Sequence, residues 1–300
     1  MKHLLKMMDL SQQDILDVLD LADQLKYEKK HNINHHYLKG KTLGMIFQKS
    51  STRTRVSFEV GMNQLGGNPL FLSASDLQLG RGESIEDTAK VLSRYLDGIM
   101  IRTYDQQDVE DLAKYGKIPI INGLTDESHP CQVLADLMTI REHKRKLEGL
   151  KLCYIGDGNN MANSLIVGGI KVGMRVAVAT PKGYEPMKEI LDFARDSGEF
   201  VITQDSEEAA QDADVLVTDV WISMGQEKEV QKRRTAFAGY QINSDILAVA
   251  APQAMVQHCL PAHKGEEISL EVFNAHQAEI FDEAENRLHV QKAILVKLMG

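Results

Sequence analysis

The sequence predicts an α/β protein of two domains, each a mainly parallel sheet flanked by helices, the two joined by long helices. Three observations predict it. A chain of 300 residues exceeds one ordinary hydrophobic core and suits two. Short apolar runs alternate with amphipathic stretches, as they do where strands are buried between helices. The alternation runs once before Gly149 and starts again after it.

The elements follow in order. Ser11 followed by Asp14 marks a helix start, and Ile15, Leu16, Leu19, Ala22 and Leu25 then recur at helical spacing. Thr42-Leu43-Gly44-Met45-Ile46-Phe47, Gly98-Ile99-Met100-Ile101 and Ile118-Pro119-Ile120-Ile121 read as buried strands, with helices near 53–65, 84–96 and 106–115. The stretch 131–147 is helical and strongly charged toward its end, which suits a link between domains. Beyond Gly149, Leu152-Cys153-Tyr154-Ile155, Arg175-Val176-Ala177-Val178-Ala179, Phe200-Val201-Ile202, Val215-Leu216-Val217 and Met255-Val256-Gln257-His258 read as strands, with a helix over 186–197 among those between them. A last helix, near 276–298, carries Ile280, Leu288, Ile294 and Leu298 and is expected to pack back on the first domain. The expected domains are 1–147, with 276–300 returning to it, and 148–275.

Composition narrows the class. A hydrophobic fraction of 43% and a charged fraction of 26% are those of an ordinary globular protein and exclude disorder. A net charge of −9 argues against nucleic acid as the partner, while leaving room for a local basic pocket. No apolar run approaches the roughly 18 to 20 residues that span a bilayer, so no membrane partner is expected. Met1-Lys2-His3-Leu4-Leu5-Lys6 lacks the features of a signal peptide. Cys131, Cys153 and Cys259 are odd in number and widely spaced, which suits a reducing compartment and a cytoplasmic location.

Chemistry concentrates after the predicted strands. Ser51-Thr52-Arg53-Thr54-Arg55 follows the first strand and opens a helix, whose free N–H groups and partial positive charge attract anions. The hydroxyls add donors and the arginines add forked charge; the plainer reading is an N-cap with surface arginines. No Gly-x-x-x-x-Gly-Lys-Ser/Thr loop occurs. Arg102 follows the strand 98–101, where ligands collect in open α/β sheets, although a surface ion pair is equally open for a lone arginine. In His129-Pro130-Cys131-Gln132, a histidine and a glutamine one turn apart at a helix start suit donation to one carbonyl oxygen, or simple capping. Gly156-Asp157-Gly158-Asn159-Asn160 resembles a dinucleotide turn but lacks the full Gly-x-Gly-x-x-Gly spacing; its two asparagines suit the amino and carboxylate groups of an amino acid. Asp219-Val220-Trp221-Ile222-Ser223-Met224-Gly225 and His258-Cys259-Leu260-Pro261 follow later strands. For Cys259 a generic buried thiol is favoured over a nucleophile. The histidines show no metal-ligand spacing.

Together, these segments resemble the aspartate and ornithine carbamoyltransferase family, in the family's order and over essentially the whole chain. The resemblance implies that 1–147 binds carbamoyl phosphate and that 148–275 binds ornithine. Ser51, Thr52, Arg53, Thr54 and Arg102 would hold the phosphate, with Thr54 also reaching the carbonyl. His129 and Gln132 would contact the carbamoyl group, and Cys259, Leu260 and Arg287 would complete that side. Asn160, Asp219, Ser223 and Met224 would bind ornithine. Gln78 would reach a neighbouring subunit's site in a homotrimer. The catalytic set would be Arg53, Arg102, His129, Asp219 and Cys259, with no metal or organic cofactor because the leaving group is already activated. One departure is Ala262-His263-Lys264, where the family pattern has tyrosine and arginine after the alanine. The alternatives are carbamoyl transfer to another amine, a dinucleotide-dependent dehydrogenase built on the 156–160 turn, and a non-catalytic homologue.

Overall fold

The computed structural model describes residues 1–75, 77 and 82–300. The chain forms two compact units, Met1–Met138 with Glu285–Gly300, and Thr139–Ala284.

The first unit holds strands β1 (Thr42–Phe47), β2 (Asn68–Ser73), β3 (Gly98–Arg102) and β4 (Ile120–Leu124), all parallel, in the order β2-β1-β3-β4. Helices α1 (Gln12–Lys30), α2 (Thr52–Gln64), α3 (Ile85–Leu92) and α4 (Gln106–Tyr115) accompany them, and α5 (Pro130–Lys144) starts here. Ser11 caps α1 in a reciprocal box with Asp14, the start that the sequence marks. The buried face of α1 is Ile15, Val18, Leu19, Ala22 and Leu25; Leu16 is only partly covered.

Two details differ from the sequence reading. Strand β2 was not expected, although it carries the apolar run Leu70-Phe71-Leu72: Pro69 at its second position argues against a strand flanked on both sides, and β2 is in fact an edge strand with Leu70 and Phe71 exposed. Strand β4 begins at Ile120 rather than Ile118, after Pro119, and the segment at Leu4 pairs with it through Leu4 N to Ile120 O (2.9 Å) and Asn122 N to Leu4 O (2.7 Å).

The second unit holds β5 (Lys151–Ile155), β6 (Arg175–Ala179), β7 (Phe200–Thr203), β8 (Val215–Thr218) and β9 (Met255–His258), parallel in the order β7-β6-β5-β8-β9. Its helices are α6 (Asn160–Lys171), α7 (Lys188–Asp196), α8 (Ser206–Ala210), α9 (Val230–Ala236), α10 (Ser244–Val249) and α11 (Leu270–Ala275). Cys153, Ile155, Ala177, Leu216 and Val256 form the centre of its core, with Ile246 and Phe273 packed from the helices.

Helix α12 (Gln277–Met299) is divided, its residues from Glu285 onward belonging to the first unit. Within that unit Lys26 donates to Asn286 (2.7 Å), and the fully buried Lys292 donates to Gln64 (3.1 Å). Burial pushes the Lys292 ammonium down to about 8. Among the described residues no helix is long and apolar enough to cross a membrane. In both units the polar segments named above leave the C-terminal ends of parallel strands, where ligands bind in such sheets.

Candidate active site

In the first unit, Ser51 caps α2: its Oγ accepts from Thr54 N (3.2 Å) and donates to Thr54 Oγ1 (3.1 Å). Thr54 is fully buried, and its hydroxyl also accepts from the Arg287 guanidinium (2.8 Å). Arg287, from α12, thus reaches Thr54, 233 residues earlier in the chain. Arg55 does not join this group. Its guanidinium lies 3.8 Å from the centre of the Phe71 ring and pairs with Glu59 at 2.9 Å, so it serves the surface of α2.

Arg102 ends β3, and its carbonyl accepts from Gln48 N (2.8 Å), which fixes it beside the end of β1. His129 immediately precedes α5 and is buried. Burial, followed by the charges of Arg287, Arg102 and Arg53, holds its imidazole well below the ordinary value. The uncharged ring is therefore favoured among the three guanidinium groups. That combination matches a dianionic ligand carrying a neutral carbonyl. Gln132 is one turn along, as its spacing predicts, but one of its amide hydrogens is committed to Asp136 (2.8 Å). Gln78 lies outside the described residues.

Sequence reasoning missed Lys49. It is buried, pairs with Asp126, and places its ammonium 4.2 Å from the centre of the Tyr104 ring. Its signal was position: it stands two residues before Ser51, directly after β1.

In the second unit, the 156–160 turn enters α6. Gly158 donates to Tyr184 O (2.9 Å), and a Cβ there would stand 2.3 Å from Pro186 N, so no larger residue fits. The two asparagines separate in role. Asn159 is the N-cap, its Oδ1 accepting from Met161 N and Ala162 N while its Nδ2 donates to Asp219 Oδ2 (3.0 Å). It holds the site rather than facing a ligand. Asn160 opens the helix. Asp219 Oδ1 accepts from Val220 N (2.8 Å) and from the Cys259 thiol (3.0 Å), so Cys259 acts here as a donor to a carboxylate.

The 223–226 loop is tied to this turn by residues that the sequence did not flag. Gln226 Oε1 accepts from Ser223 N (2.9 Å) and Arg233 Nε (3.0 Å), and Arg233 also donates to Asp157 (2.5 Å). The Arg233 guanidinium lies 5.0 Å from the Tyr184 ring and 5.5 Å from that of Phe237. Burial pushes the Asp157 carboxyl up to about 6 against the pull of Arg233. Arg233 and Arg234 are indistinguishable in sequence, yet Arg233 is 3% exposed while Arg234 pairs with Glu266 at the surface. Met224, at the loop tip, is exposed.

After β9, Leu260 holds a φ of 57° and is joined to Pro261 by a cis bond. Its N–H donates to His258 Nδ1 (2.9 Å), and His258 Nε2 meets Glu267 Oε1 at 3.0 Å with both side chains fully buried. The resemblance did not supply Glu267, nine residues further on. His263, Glu266 and Glu267 come within metal-ligand reach of one another, but Glu267 is committed to His258 and to His263 N (2.5 Å), and Glu266 to Arg234 (2.6 Å).

Comparison with known proteins agrees with this geometry. Residues 2–142 match the family model for the carbamoyl-P binding domain of aspartate/ornithine carbamoyltransferase, and residues 148–298 match that for its Asp/Orn binding domain. An ornithine carbamoyltransferase from Caldicellulosiruptor saccharolyticus is 56% identical over 301 residues, covering 99% of this chain and 98% of its own. The ornithine carbamoyltransferase structure from Pyrococcus furiosus superposes with a TM-score of 0.95 at 52% identity, over 100% of this chain and 97% of that one. The anabolic ornithine carbamoyltransferase structure from Campylobacter jejuni gives 0.93 at 41% identity, over 99% of each. With both domain models matched in order along its length, the chain belongs to the aspartate/ornithine carbamoyltransferase family.

Proposed function

We propose that the protein transfers the carbamoyl group of carbamoyl phosphate to the δ-amine of L-ornithine, giving L-citrulline and phosphate. The observation that carries this reading is the buried His129 within the influence of Arg287, Arg102 and Arg53, which with burial hold its imidazole well below the ordinary value. Three relatives named ornithine carbamoyltransferase, 55% or 56% identical over 99% or 100% of this chain, support the choice of acceptor.

Ser51, Thr52, Arg53, Thr54 and Arg102 bind the phosphate, aided by the N-terminus of α2. His129, Gln132, Arg287 and Thr54 face the carbamoyl group. Asn160, Asp219, Ser223 and Met224 bind ornithine, and Cys259 and Leu260 act at the reacting centre. An alkylamine titrates near 10.4, so freeing its lone pair at pH 7 costs about 4–5 kcal/mol. Asp219 and Cys259 orient the neutral amine for attack on the carbamoyl carbon. As the new C–N bond forms, charge grows on the carbonyl oxygen, where His129 and Arg102 donate. The bond to phosphate then breaks, and the amine's proton leaves with the phosphate oxygen. No metal or organic cofactor enters this scheme.

The protein is further proposed to act in the cytoplasm as a homotrimer, with Gln78 serving a neighbour's site. The apolar exposure of Leu70 and Phe71 on the edge strand β2, and of Val56 and Val60 on α2, supports a self-association surface on the first unit. The anabolic label carried by the Campylobacter jejuni relative supports a place in arginine biosynthesis. One assay decides the main reading: citrulline must form from carbamoyl phosphate and ornithine, and putrescine must be a poor substitute. Turnover of putrescine equal to that of ornithine would overturn the choice of acceptor, and light scattering would test the trimer.

A further inference from the structure

The turn before His129 is built with more hydrogen bonds than a plain helix entry needs. Thr125 N donates to Ser128 O (2.9 Å), and Ser128 N donates back to Thr125 Oγ1 (3.1 Å). The Thr125 hydroxyl gives its proton to Gln106 Oε1 (2.8 Å). Gln106 is itself held from behind: Asn122 donates to its Oε1 (3.3 Å) and to Leu5 O (2.8 Å), and Gln106 Nε2 donates to the same carbonyl (3.5 Å). Gln106, Asn122, Thr125 and Ser128 are all buried. On the outer side, Asp126 N donates to Tyr104 O (2.9 Å), and the Asp126 carboxylate pairs with Lys49, which leads into the Ser51 loop. The turn is therefore gripped on both sides within the first unit.

His129 follows directly and is followed by Pro130, whose ring fixes φ at the first helical position. Little backbone freedom remains between Ser128 and the helix, so the imidazole stands where the turn puts it. We propose that Thr125, backed by Gln106, is a positioning residue that sets the placement of the His129 imidazole for transfer. The proposal rests on the reading of His129 as a donor to the carbamoyl carbonyl. Thr125 touches no reacting atom in this account. It acts because a misplacement of about 1 Å at a reacting group costs on the order of a hundredfold in rate.

The experiment is a double-mutant cycle on kcat for citrulline formation, with Thr125→Val, Thr125→Ser, His129→Ala and the Thr125→Val/His129→Ala pair. Valine keeps the shape but removes the hydroxyl. Thr125→Val is expected to lower kcat by roughly ten- to a hundredfold with KM for ornithine unchanged, and Thr125→Ser to recover most of it. In the His129→Ala background the same Thr125→Val change is expected to cost less than about twofold. If Thr125→Val folds poorly, Gln106→Leu takes its place, because it leaves the Thr125–Ser128 bond intact; a smaller kcat loss, again absent without His129, supports the proposal. A Thr125→Val enzyme within twofold of wild type, or a loss that persists in full in the His129→Ala background, overturns it. If His129→Ala alone turns over like wild type, the underlying reading of His129 fails, an outcome visible before the cycle is completed.

Discussion

The two ligand-facing clusters solve opposite electrostatic problems. In the first unit three guanidinium groups stand near an imidazole that burial and their charges keep neutral. In the second unit stand two buried carboxylates, Asp157 in the turn before α6 and Asp219 after β8; Arg233 pairs with the first, and Asn159, Val220 and Cys259 donate to the second. Under the proposed function the first would meet a dianion and the second an amino acid. The difference teaches how each set of charges is held in place. Like charges in the first unit spread over residues from α2, β3 and α12, whereas the second unit holds its acids with a closed set of short hydrogen bonds.

This contrast can be broken in order of expected size. Arg233→Ala strands Asp157 as a buried charge, and losing one partner of such a pair typically costs about 3–5 kcal/mol of stability. It should also loosen the 223–226 loop and raise KM for ornithine while leaving carbamoyl-phosphate affinity intact; an unchanged KM in the folded variant would show that the loop does not depend on this tie. Arg53→Ala should do the reverse, folding normally and losing at least about a hundredfold in turnover. Near-wild-type kinetics would remove Arg53 from the phosphate site. Asp219→Asn keeps the shape but not the charge, and about 2–3 kcal/mol, roughly 30- to 150-fold in kcat/KM for ornithine, should be lost. A drop confined to carbamoyl-phosphate binding would reassign Asp219.

The smallest effect is a pH dependence carried by His129. Its folded value lies below that of the unfolded chain, so the unfolded chain takes up the proton first as pH falls. Stability from this group is complete above about 6.5 and is lost at lower pH, by no more than about 1.4 kcal/mol per pH unit. Urea denaturation of wild type and His129→Gln between pH 7.5 and 5.5 should show their difference narrowing with acidity. Parallel curves would mean that the imidazole charges readily in the fold.

The cationic cluster was far more legible in sequence than the anionic one, apart from Arg287. Ser51 to Arg55 and Arg102 follow buried apolar strands, and β1 and β3 appear where their apolar runs predict. Arg287 was reached only through family resemblance, because nothing local to α12 says that its guanidinium meets Thr54. In the second unit the key ties are polar residues whose neighbours in sequence look the same: Arg233 beside Arg234, and Asn159 beside Asn160. Which of each pair makes the tie is decided by packing against Tyr184 and Phe237 and by the helix entry at α6, information that spacing alone does not hold. Strand β2 was missed although its run Leu70-Phe71-Leu72 is apolar, because Pro69 within the strand fits only a strand at a sheet edge.

Helix α12 has a consequence for how the protein is made. The first unit contains Met1–Met138, yet it also takes in residues from Glu285 onward, among them Arg287 and Lys292. On the ribosome, where domains generally fold as they emerge, the second unit has all its residues available before the first does. The Ser51 loop therefore waits, with its arginine cluster unfinished, for a residue made 233 codons after Thr54. A chain stopped before residue 285 would carry the Ser51 loop but not the side chain that bonds its Thr54, so premature products should be unable to assemble the first cluster at all.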